Sequence, residues 1–387
     1  MRKNLTRGAA ILGAGFISHS HAEALRYCGV RICAVVDRTE DAARAFAEKW
    51  GIETYGTSEE LLFSDEVSSV HVCTPPHTHY RIVKKLLNAG KHVLCEKPLC
   101  LVPEEAEELS ALADSLGLTC GINLNVRFHQ MSGRMKELVR GRDFGTVRLV
   151  HGQYLQQFHL LPCPYGWRYI PEAAGPMRAV TEIGTHWFDI IQYITGQRIT
   201  EVSALFGNFH PQRVVRGGVM YSPAIKDGEN GPKALKKENN GALADSCDNK
   251  ICREAEETVT VTSEDAALIT FRLSGGAIGS VTLSEVSHGY SNYLSYEITG
   301  DHMTAGWNSQ ENNSVYFSSG SGQKTVESDG FGNGFNDSFR RLIQSFYFGS
   351  ADTGLPSCPT FQEGAEIVRI CSAVYESAVK SGGWVQV

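Results

Sequence analysis

The chain has 387 residues, a formal net charge of −7 and 42% hydrophobic residues. This length predicts two domains, with enough apolar residues for sizeable cores. The negative charge excludes the electrostatic footprint of a DNA- or RNA-binding protein, and no apolar run approaches the ~20 residues that span a bilayer.

Residues 1–122 alternate between apolar strand-like runs and helical runs. Strands are predicted over Ala9–Leu12, Arg31–Val36, Ser69–Cys73, His92–Cys95 and Thr119–Ile122. Helices are predicted over Ser18–Tyr27, Glu40–Trp50, His79–Ala89 and Pro103–Leu116. This alternation requires crossover connections and a parallel sheet. The fold class is therefore α/β, with an N-terminal Rossmann dinucleotide-binding domain at 1–122.

After Asn123 the pattern changes to long strand-like runs between a few helices. The helices are predicted over Met131–Arg140, Val180–Thr195, Asn336–Phe348 and Phe361–Lys380. The strands are predicted over Thr146–Gln157, Glu201–Phe209, Glu257–Val261, Ala266–Leu273, Ala277–Val286, Tyr293–Thr299 and Val315–Phe317. Gly275-Gly276 predicts a tight hairpin between two of them. Residues 123–387 are thus predicted to be an α+β domain with a large, mostly antiparallel open sheet and a polar insertion near 227–254.

A glycine-rich turn, Gly13-Ala14-Gly15-Phe16-Ile17-Ser18, follows the first strand and opens a helix. Glycines let a pyrophosphate approach the backbone, and the helix N-terminus supplies amide donors and a positive dipole. Ser18 stands where the usual fingerprint has its third glycine. Asp37 ends the second strand, where a carboxylate can hold both ribose hydroxyls. Gly13, Gly15, Phe16, Ile17 and Asp37 are therefore predicted to bind a dinucleotide.

Two residues bear on the choice of cofactor. Asp37 repels a 2′-phosphate and favours NAD, whereas Arg38 offers a partner for adenine or for that phosphate, which leaves NADP open.

The segment Thr74–His79 follows the third strand at the same sheet edge. Thr74 and Pro75 are predicted to form the floor under the nicotinamide ribose. His79 is predicted to bind a ribose hydroxyl, with helix capping by Thr78 or His79 as the alternative.

The segment Glu96-Lys97-Pro98 ends another strand of the predicted sheet, at the edge where a nicotinamide ring would lie. A second segment, Thr181–Asp189, places Glu182 and His186 four residues apart on one helix face, with Asp189 on the same stripe. By itself this second segment is equally compatible with an amphipathic helix that carries one incidental histidine. Together the two segments suggest hydride-transfer chemistry.

The chain resembles the glucose–fructose oxidoreductase / inositol dehydrogenase / MocA family of NAD(P)-dependent oxidoreductases. The resemblance rests on the glycine turn, Thr74-Pro75, Glu96-Lys97-Pro98, the pattern Glu182-x-Gly184-x-His186-x-x-Asp189 and the ending around Trp384, and it covers essentially the whole chain. The family usually has aspartate where this chain has Glu182, and the longer side chain moves the charge by ~1.5 Å.

The resemblance implies a catalytic role for Lys97, His186 and Glu182. Lys97 would hold the alcohol oxygen and stabilise a developing alkoxide, and His186 would take the hydroxyl proton. Glu182 would orient His186 or hold a substrate hydroxyl. Glu96 is expected to contact the cofactor or to pair with Lys97, and the residues leave both open.

A polyhydroxylated substrate needs many fixed donors and acceptors. The candidates for substrate binding besides Lys97, Glu182 and His186 are Asn125, Arg127, Tyr154, Trp167, Arg168 and Arg178. Trp167 would stack on the apolar face of a sugar, and the arginines would bind hydroxyls or an acid group.

The resulting hypothesis is an NAD-dependent dehydrogenase that acts on a ring hydroxyl, at the 3-position of a glucoside-like ring, of a sugar, glycoside or cyclitol. One alternative is a redox-neutral glycosidase or lyase that oxidises the ring transiently. The other is a non-catalytic sensor, which has no need of both Lys97 and His186.

The expected setting is a cytoplasmic homo-oligomer. The start of the chain shows no signal-peptide core, and the eleven cysteines lack Cys-x-x-Cys spacing, which predicts a reducing compartment and no metal site. Cys247 and Cys252 share a polar segment, but no ligand spacing accompanies them. The apolar residues Ala277, Ile278, Val281, Leu283 and Val286 cannot all face one core, which predicts a dimer or tetramer that covers the second face.

Overall fold

The computed structural model describes Leu5 and residues 8–222, 257–320, 322–330 and 334–387. The insertion predicted near 227–254 and the cysteines Cys247 and Cys252 lie outside these ranges. Within them, no helix combines the length and apolarity needed to cross a membrane.

The N-terminal part of the chain forms a six-stranded sheet flanked by helices. Its strands are β1 (Ala9–Leu12), β2 (Ile32–Val36), β3 (Thr54–Gly56), β4 (Ser69–Val72), β5 (His92–Cys95) and β6 (Cys120–Ile122). Its helices are α1 (Phe16–Tyr27), α2 (Glu40–Trp50), α3 (His79–Asn88) and α4 (Pro103–Ser115). The strand order is β3-β2-β1-β4-β5-β6 and every pair is parallel, as in a Rossmann sheet.

The remaining elements form two further sheets and their helices. The strands are β7 (Val147–Leu155), β8 (Cys163–Pro164), β9 (Ile199–Gly207), β10 (Gln212–Arg216), β11 (Val219–Tyr221), β12 (Glu257–Thr260), β13 (Ala266–Leu273), β14 (Ile278–Ser284), β15 (Tyr293–Gly300), β16 (Thr304–Asn308), β17 (Ser314–Ser318), β18 (Thr325–Ser328) and β19 (Val385–Gln386). The helices are α5 (Gln130–Arg140), α6 (Pro171–Ala174), α7 (Thr185–Thr195), α8 (Phe335–Phe348), α9 (Ser350–Thr353) and α10 (Phe361–Val379).

The larger of these sheets has nine strands in the order β18-β17-β16-β15-β7-β14-β13-β9-β19. Its neighbours are antiparallel except for β14 and β7, which are parallel. Along β13 the side chains alternate, with Ile269 and Phe271 in the core and Leu268 on the open face. The predicted fold class, a Rossmann domain followed by a large and mostly antiparallel sheet, is confirmed. The smaller sheet, β12-β10-β11-β8, is an addition that the sequence did not indicate.

The parallel sheet is covered on both faces, which is why its strands are apolar throughout. In β1, Ala10 and Leu12 pack with α3 and α4, whereas Ala9 and Ile11 pack with α1 and α8. Helix α8 follows the nine-stranded sheet in the chain, yet its Phe339 lies in the core of the N-terminal sheet. The two parts of the chain therefore share a core, and the domain boundary at residue 122 stays a prediction.

Candidate active site

The carboxyl ends of β1, β2, β4 and β5 meet at one edge of the parallel sheet, and each is followed by a predicted site residue. Gly13 follows β1 with φ +95°. A Cβ atom there would lie 2.8 Å from the carbonyl oxygen of Cys73, at the end of β4. This close approach of two loops requires glycine.

The turn after β1 suits a pyrophosphate group. Gly15 is the N-cap residue of α1, and no side chain accepts a hydrogen bond from the amide groups of the first turn at this cap. A Cβ atom on Gly15 would meet no atom within 4 Å. Phe16 is 62% exposed and Ile17 half-buried beside it. The first turn of α1 thus presents amide donors to open space, as dinucleotide binding requires.

Asp37 fits the ribose position at the end of β2. Its carboxylate accepts hydrogen bonds from the backbone N–H groups of Ala14 (2.8 Å) and Thr39 (3.2 Å). A carboxylate has further lone pairs for hydroxyl groups, so Asp37 can hold the glycine turn and a ribose together. Arg38 is exposed next to it.

Thr74 and Pro75 lie at the expected edge, half-buried, and the hydroxyl groups of Thr74 and Thr78 are 2.6 Å apart. His79 differs from its prediction. Its ring is buried, with Nδ1 2.9 Å from the carbonyl oxygen of Pro98 and Nε2 2.8 Å from that of Thr74. Because both nitrogens face the backbone, His79 braces two loops and keeps no nitrogen for a ribose hydroxyl.

Glu96 is buried after β5 and both its oxygens are occupied by protein donors. Oε1 contacts His21 Nε2 (3.0 Å) and Asn123 Nδ2 (2.5 Å), and Oε2 accepts the backbone N–H of Lys97 (3.2 Å). Burial raises the pKa of Glu96, but the hydrogen bonds from His21 and Asn123 and the charge of Lys97 outweigh it, so the pKa is lowered. Glu96 is therefore held as a carboxylate that fixes the Lys97 backbone, and its charge also acts on the Lys97 side chain. Its contact with the cofactor stays a prediction.

A buried chain of polar groups stands behind Glu96. His21 Nδ1 lies 2.8 Å from His71 Nδ1, and His71 Nε2 lies 2.9 Å from the hydroxyl of Tyr347 in α8. The sequence did not indicate this chain, which ties α8 to the strand end that carries Lys97.

Lys97 connects the Rossmann edge with the second predicted segment. Its Nζ donates a hydrogen bond to the backbone carbonyl of Glu182 (2.5 Å). The side chain is half-buried, and burial lowers its pKa against the opposing charges of Glu182 and Glu96.

His186 lies at the start of α7, close enough to Lys97 to feel its charge. Burial, and then the charge of Lys97, lower the pKa of His186 to about 3. Its Nδ1 is buried and has no hydrogen-bond partner among the described residues. At neutral pH the imidazole is therefore uncharged and able to accept a proton.

Glu182 precedes His186 in a π-helical turn, Val180–Gly184, rather than in the predicted regular helix. Its carboxylate contacts Nε of Arg168 (3.2 Å) and lies 3.7 Å from Nε2 of His159. Burial raises the pKa of Glu182, but the positive charges of Arg168 and Lys97 oppose it and the pKa is lowered. The guanidinium of Arg168 in turn lies over the ring of Trp167, 4.4 Å from its centroid.

The structure thus brings Lys97, Glu182, Arg168 and Trp167 into one cluster beside His186. Asp189 is not part of this cluster, although it lies in the same helix, α7, as His186. Asp189 instead accepts two hydrogen bonds from Arg127, of 2.8 and 2.5 Å.

Four predicted substrate residues have structural partners instead. Arg127 is buried between Asp189 and Glu363, with Nη1 2.6 Å from Glu363 Oε1. The other three are likewise buried. Asn125 contacts Ser338 (2.7 Å), and Arg178 contacts Glu285 (3.0 Å) and Asp265. Tyr154 lies beside Asn292 and Gln156, and burial raises its pKa to about 12. These contacts give the four side chains structural roles in the walls of the site, although Nη1 of Arg178 has no hydrogen-bond partner among the described residues.

Two residues that lie next to Glu182 were not predicted from the sequence. They are His159 and Glu285. Both are fully buried and follow strands β7 and β14. With Glu182 they place three ligand-type atoms within 4.8 Å of one another. Arg168 and Arg178 already contact the two carboxyl groups, and these positive charges disfavour a cation, so we assign no metal to the cluster.

The Rossmann sheet, the open turn after β1 and the ionisable cluster at the same edge define a two-domain dinucleotide-binding oxidoreductase. A model described as "Oxidoreductase family, NAD-binding Rossmann fold" matches residues 7–124, and the "GFO/IDH/MocA C-terminal domain" matches residues 133–305. The chain therefore belongs to the GFO/IDH/MocA family of NAD-binding oxidoreductases, and NAD is its cofactor.

Named relatives agree with this assignment. The chain is 24% identical to the levoglucosan dehydrogenase of Pseudarthrobacter phenanthrenivorans, over 100% of this chain and 98% of that protein. It is 29% identical to the D-glucoside 3-dehydrogenase of Escherichia coli, over 48% of this chain and 53% of that protein. The crystal structure of an oxidoreductase domain protein from Kribbella flavida superimposes with a TM-score of 0.81 and 25% identity, over 98% of both chains.

The choice between NAD and NADP is expected to depend on Asp37. Asp37→Ser should weaken NAD binding and relieve the repulsion of a 2′-phosphate, which shifts the preference by about 1–3 kcal/mol, the worth of a charged hydrogen bond. The ratio of the two dissociation constants measures this shift, and Asp37→Asn is the control that removes the charge while keeping an acceptor for Ala14. A wild-type protein that already prefers NADP would show that Arg38, not Asp37, decides.

Proposed function

We propose that this protein is an NAD-dependent dehydrogenase that oxidises a secondary ring hydroxyl of a sugar, glycoside or cyclitol. The observation that carries the proposal is the hydrogen bond from Lys97 Nζ to the carbonyl of Glu182. It joins the strand end at the cofactor edge to the turn that precedes His186. A hydroxyl group near this contact would meet a donor and a proton acceptor at the same time.

The two side chains divide the chemistry of the hydroxyl group. Bound NAD supplies the hydride acceptor. Lys97 donates a hydrogen bond to the alcohol oxygen and stabilises the negative charge that develops on it. His186, held neutral by burial and by Lys97, accepts the hydroxyl proton. Glu182 positions Lys97 through its backbone carbonyl.

A pyranose-like ring suits the surface that Trp167 and Arg168 form at the edge of the site. Trp167 offers an aromatic face for the C–H side of a ring, and Arg168, which lies over it and contacts Glu182, offers hydrogen-bond donors to hydroxyls. The named relatives act on levoglucosan and on a D-glucoside, and the second name supports oxidation at the 3-position of the ring.

A panel of pyranoses, glycosides and cyclitols with NAD and with NADP tests this proposal. The expected result is accumulation of NADH in step with the oxidised sugar for at least one glucoside-like compound. Turnover without net NADH would favour a redox-neutral glycosidase or lyase. Nucleotide binding without turnover of any compound would favour a sensor.

We further propose a cytoplasmic homo-oligomer that covers the open face of the nine-stranded sheet. Ala277, Val281 and Leu283 face the core, whereas Ile278 is 52% exposed. Leu149, Leu205 and Leu268 are exposed on the same open face of the sheet. A dimeric or tetrameric mass at micromolar concentration is expected in solution, and a monomeric mass would refute this proposal.

A further inference from the structure

Glu285 is a fully buried carboxyl group just after β14 that the proposed chemistry does not use. Its exposed fraction is 0%. The titratable and charged groups that face it or influence its pKa come from the end of β7 and the segment after it, from around the π turn, from before β13 and from after β5. They are Tyr154, His159, Arg178, Glu182, Glu264, Asp265 and Lys97.

The positive charge available here is taken up mainly by Asp265. Its carboxylate contacts the guanidinium groups of both Arg178 and Arg213 and accepts the backbone N–H groups of Phe209 (2.7 Å) and His210 (2.9 Å). These contacts lower the pKa of Asp265 against the effect of its burial. Asp265 is therefore the ionised member of this buried group.

Glu285 has much weaker support for a negative charge. Oε2 accepts one hydrogen bond, from Nε of Arg178 (3.0 Å), and Oε1 has no hydrogen-bond partner in the described part of the chain. An ionised carboxylate that is sealed from water with one oxygen unsatisfied is costly. A neutral carboxyl group is not.

A second carboxylate adds to this cost. Glu182 shares the imidazole of His159 with Glu285, since His159 Nε2 lies 3.3 Å from Glu285 Oε2 and 3.7 Å from Glu182 Oε2. A carboxylate oxygen of Glu182 and one of Glu285 lie within 4.8 Å of each other, and two buried carboxyl groups this close do not both ionise readily. Glu182 has Arg168 as its own cation, so the proton belongs to Glu285.

We propose that Glu285 holds a proton at neutral pH and donates a hydrogen bond to Nε2 of His159, so that of Glu182 and Glu285 only Glu182 is negatively charged. Glu285 and His159 are then positioning residues for the site. This positioning role rests on the proposed function, whereas the protonation of Glu285 does not. Burial, and then the charge of Glu182, raise the pKa of Glu285 to about 8. Burial lowers the pKa of His159 to about 4, which keeps its imidazole neutral.

The neighbours of His159 are consistent with this direction of donation. When Nε2 accepts, the proton of the neutral ring is on Nδ1, which contacts the hydroxyl of Tyr169. The Tyr169 hydroxyl can then donate to Sγ of Cys163, 3.1 Å away. Glu285, His159 and Tyr169 thus each have one donor and one acceptor role, and Cys163 accepts at the end of the chain.

The first test uses folding alone and needs no substrate. The pKa of Glu285 is raised in the folded state above its value of 4.5 in an unfolded chain, so the folded protein holds a proton that the unfolded chain releases. The contribution of Glu285 to the free energy of unfolding should therefore fall as the pH rises from about 4.5 to about 8. Glu285→Gln lacks this proton, so the unfolding equilibrium constant of the wild type should rise tenfold per pH unit relative to the variant.

Asp265→Asn is the matched contrast, because it neutralises the carboxylate that is ionised in the same group. Between pH 4.5 and pH 8 it should be less stable than the wild type, and its free energy of unfolding should keep the pH dependence of the wild type. If Asp265→Asn does not fold, the comparison of Glu285→Gln with the wild type still decides. A Glu285→Gln protein that is destabilised throughout, with the wild-type slope, would overturn the proposal, since it would show that an ionised Glu285 compensates Arg178.

The second test measures KM between pH 7 and pH 9 for a sugar that the enzyme oxidises. Ionisation of Glu285 places a second negative charge beside Glu182. This charge competes for Arg168, which contacts Glu182 and lies over Trp167 at the proposed sugar-binding surface. KM of the wild type should rise through this range while kcat changes little, and KM of Glu285→Gln should stay constant. Equal pH dependence in both proteins would contradict the positioning role. Failure of the dehydrogenase proposal would remove this arm and leave the unfolding test intact.

Discussion

Lys97→Met is expected to lower kcat by about 10²–10³ while the dissociation constant of NAD stays nearly unchanged. The loss has this size because one preorganised donor to a developing negative charge is removed. Methionine preserves the length of the side chain, and the Lys97 backbone stays fixed by Glu96. The measurements are kcat and the NAD dissociation constant of the purified variant.

The matched control is Lys84→Met, which removes a lysine of α3 whose partner is Glu108 at the surface. It should leave both quantities unchanged. A Lys97→Met enzyme within about fivefold of the wild-type kcat would remove Lys97 from the catalytic assignment and favour the sensor.

His186→Ala is expected to cause a loss similar to that of Lys97→Met, since the acceptor of the hydroxyl proton is missing. The double variant should be no worse than roughly the poorer single variant, because residues that act as a unit do not contribute additively. Exposed His302 provides the control, as His302→Ala should retain full activity.

The pH profile gives His186 a second and independent readout. With the pKa lowered to about 3, the base is neutral throughout the usual assay range. A profile of kcat/KM reports the free enzyme, so it should show no acidic limb near pH 6.5 in the wild type. A limb at that pH that disappears in His186→Ala would show that the ring is solvated in the working enzyme, contrary to its burial here.

The N-terminal fold and the placement of its motifs were predictable because they depend on local sequence. Strands that alternate with helices specify a parallel sheet, and residues after the strands, such as Asp37 and Lys97, must then meet at one edge. The glycine at position 13 is required by its close approach to the carbonyl oxygen of Cys73, the residue that follows β4.

The charged groups that line the C-terminal part were less predictable because their partners lie far away in the chain. Arg127 meets Asp189 at a separation of 62 residues, and Arg178 meets Glu285 at 107. From the sequence alone, an arginine that binds a substrate and one that is buried in an ion pair look the same. The π turn at Val180–Gly184 is a backbone feature without a residue signature, so it could not be anticipated.

His159 and Glu285 were missed for a related reason. Each follows a strand of the nine-stranded sheet, a position where an ionisable residue usually reaches solvent. They are buried because the segment around Arg178 and the smaller sheet cover that end of β7 and β14. A rule that inspects ionisable residues after every strand of the second sheet would have found both.

The central claim is that a hydride leaves a ring carbon of the substrate for NAD, and isotope transfer tests it most directly. The measurement follows a glucoside deuterated at every ring carbon, with unlabelled NAD, and determines the deuterium content of the NADH that accumulates. The account predicts one deuterium in each NADH and, when the label is confined to the 3-position, the same result. Turnover that leaves NADH unlabelled, or that releases the label to water without any accumulation of NADH, would contradict it.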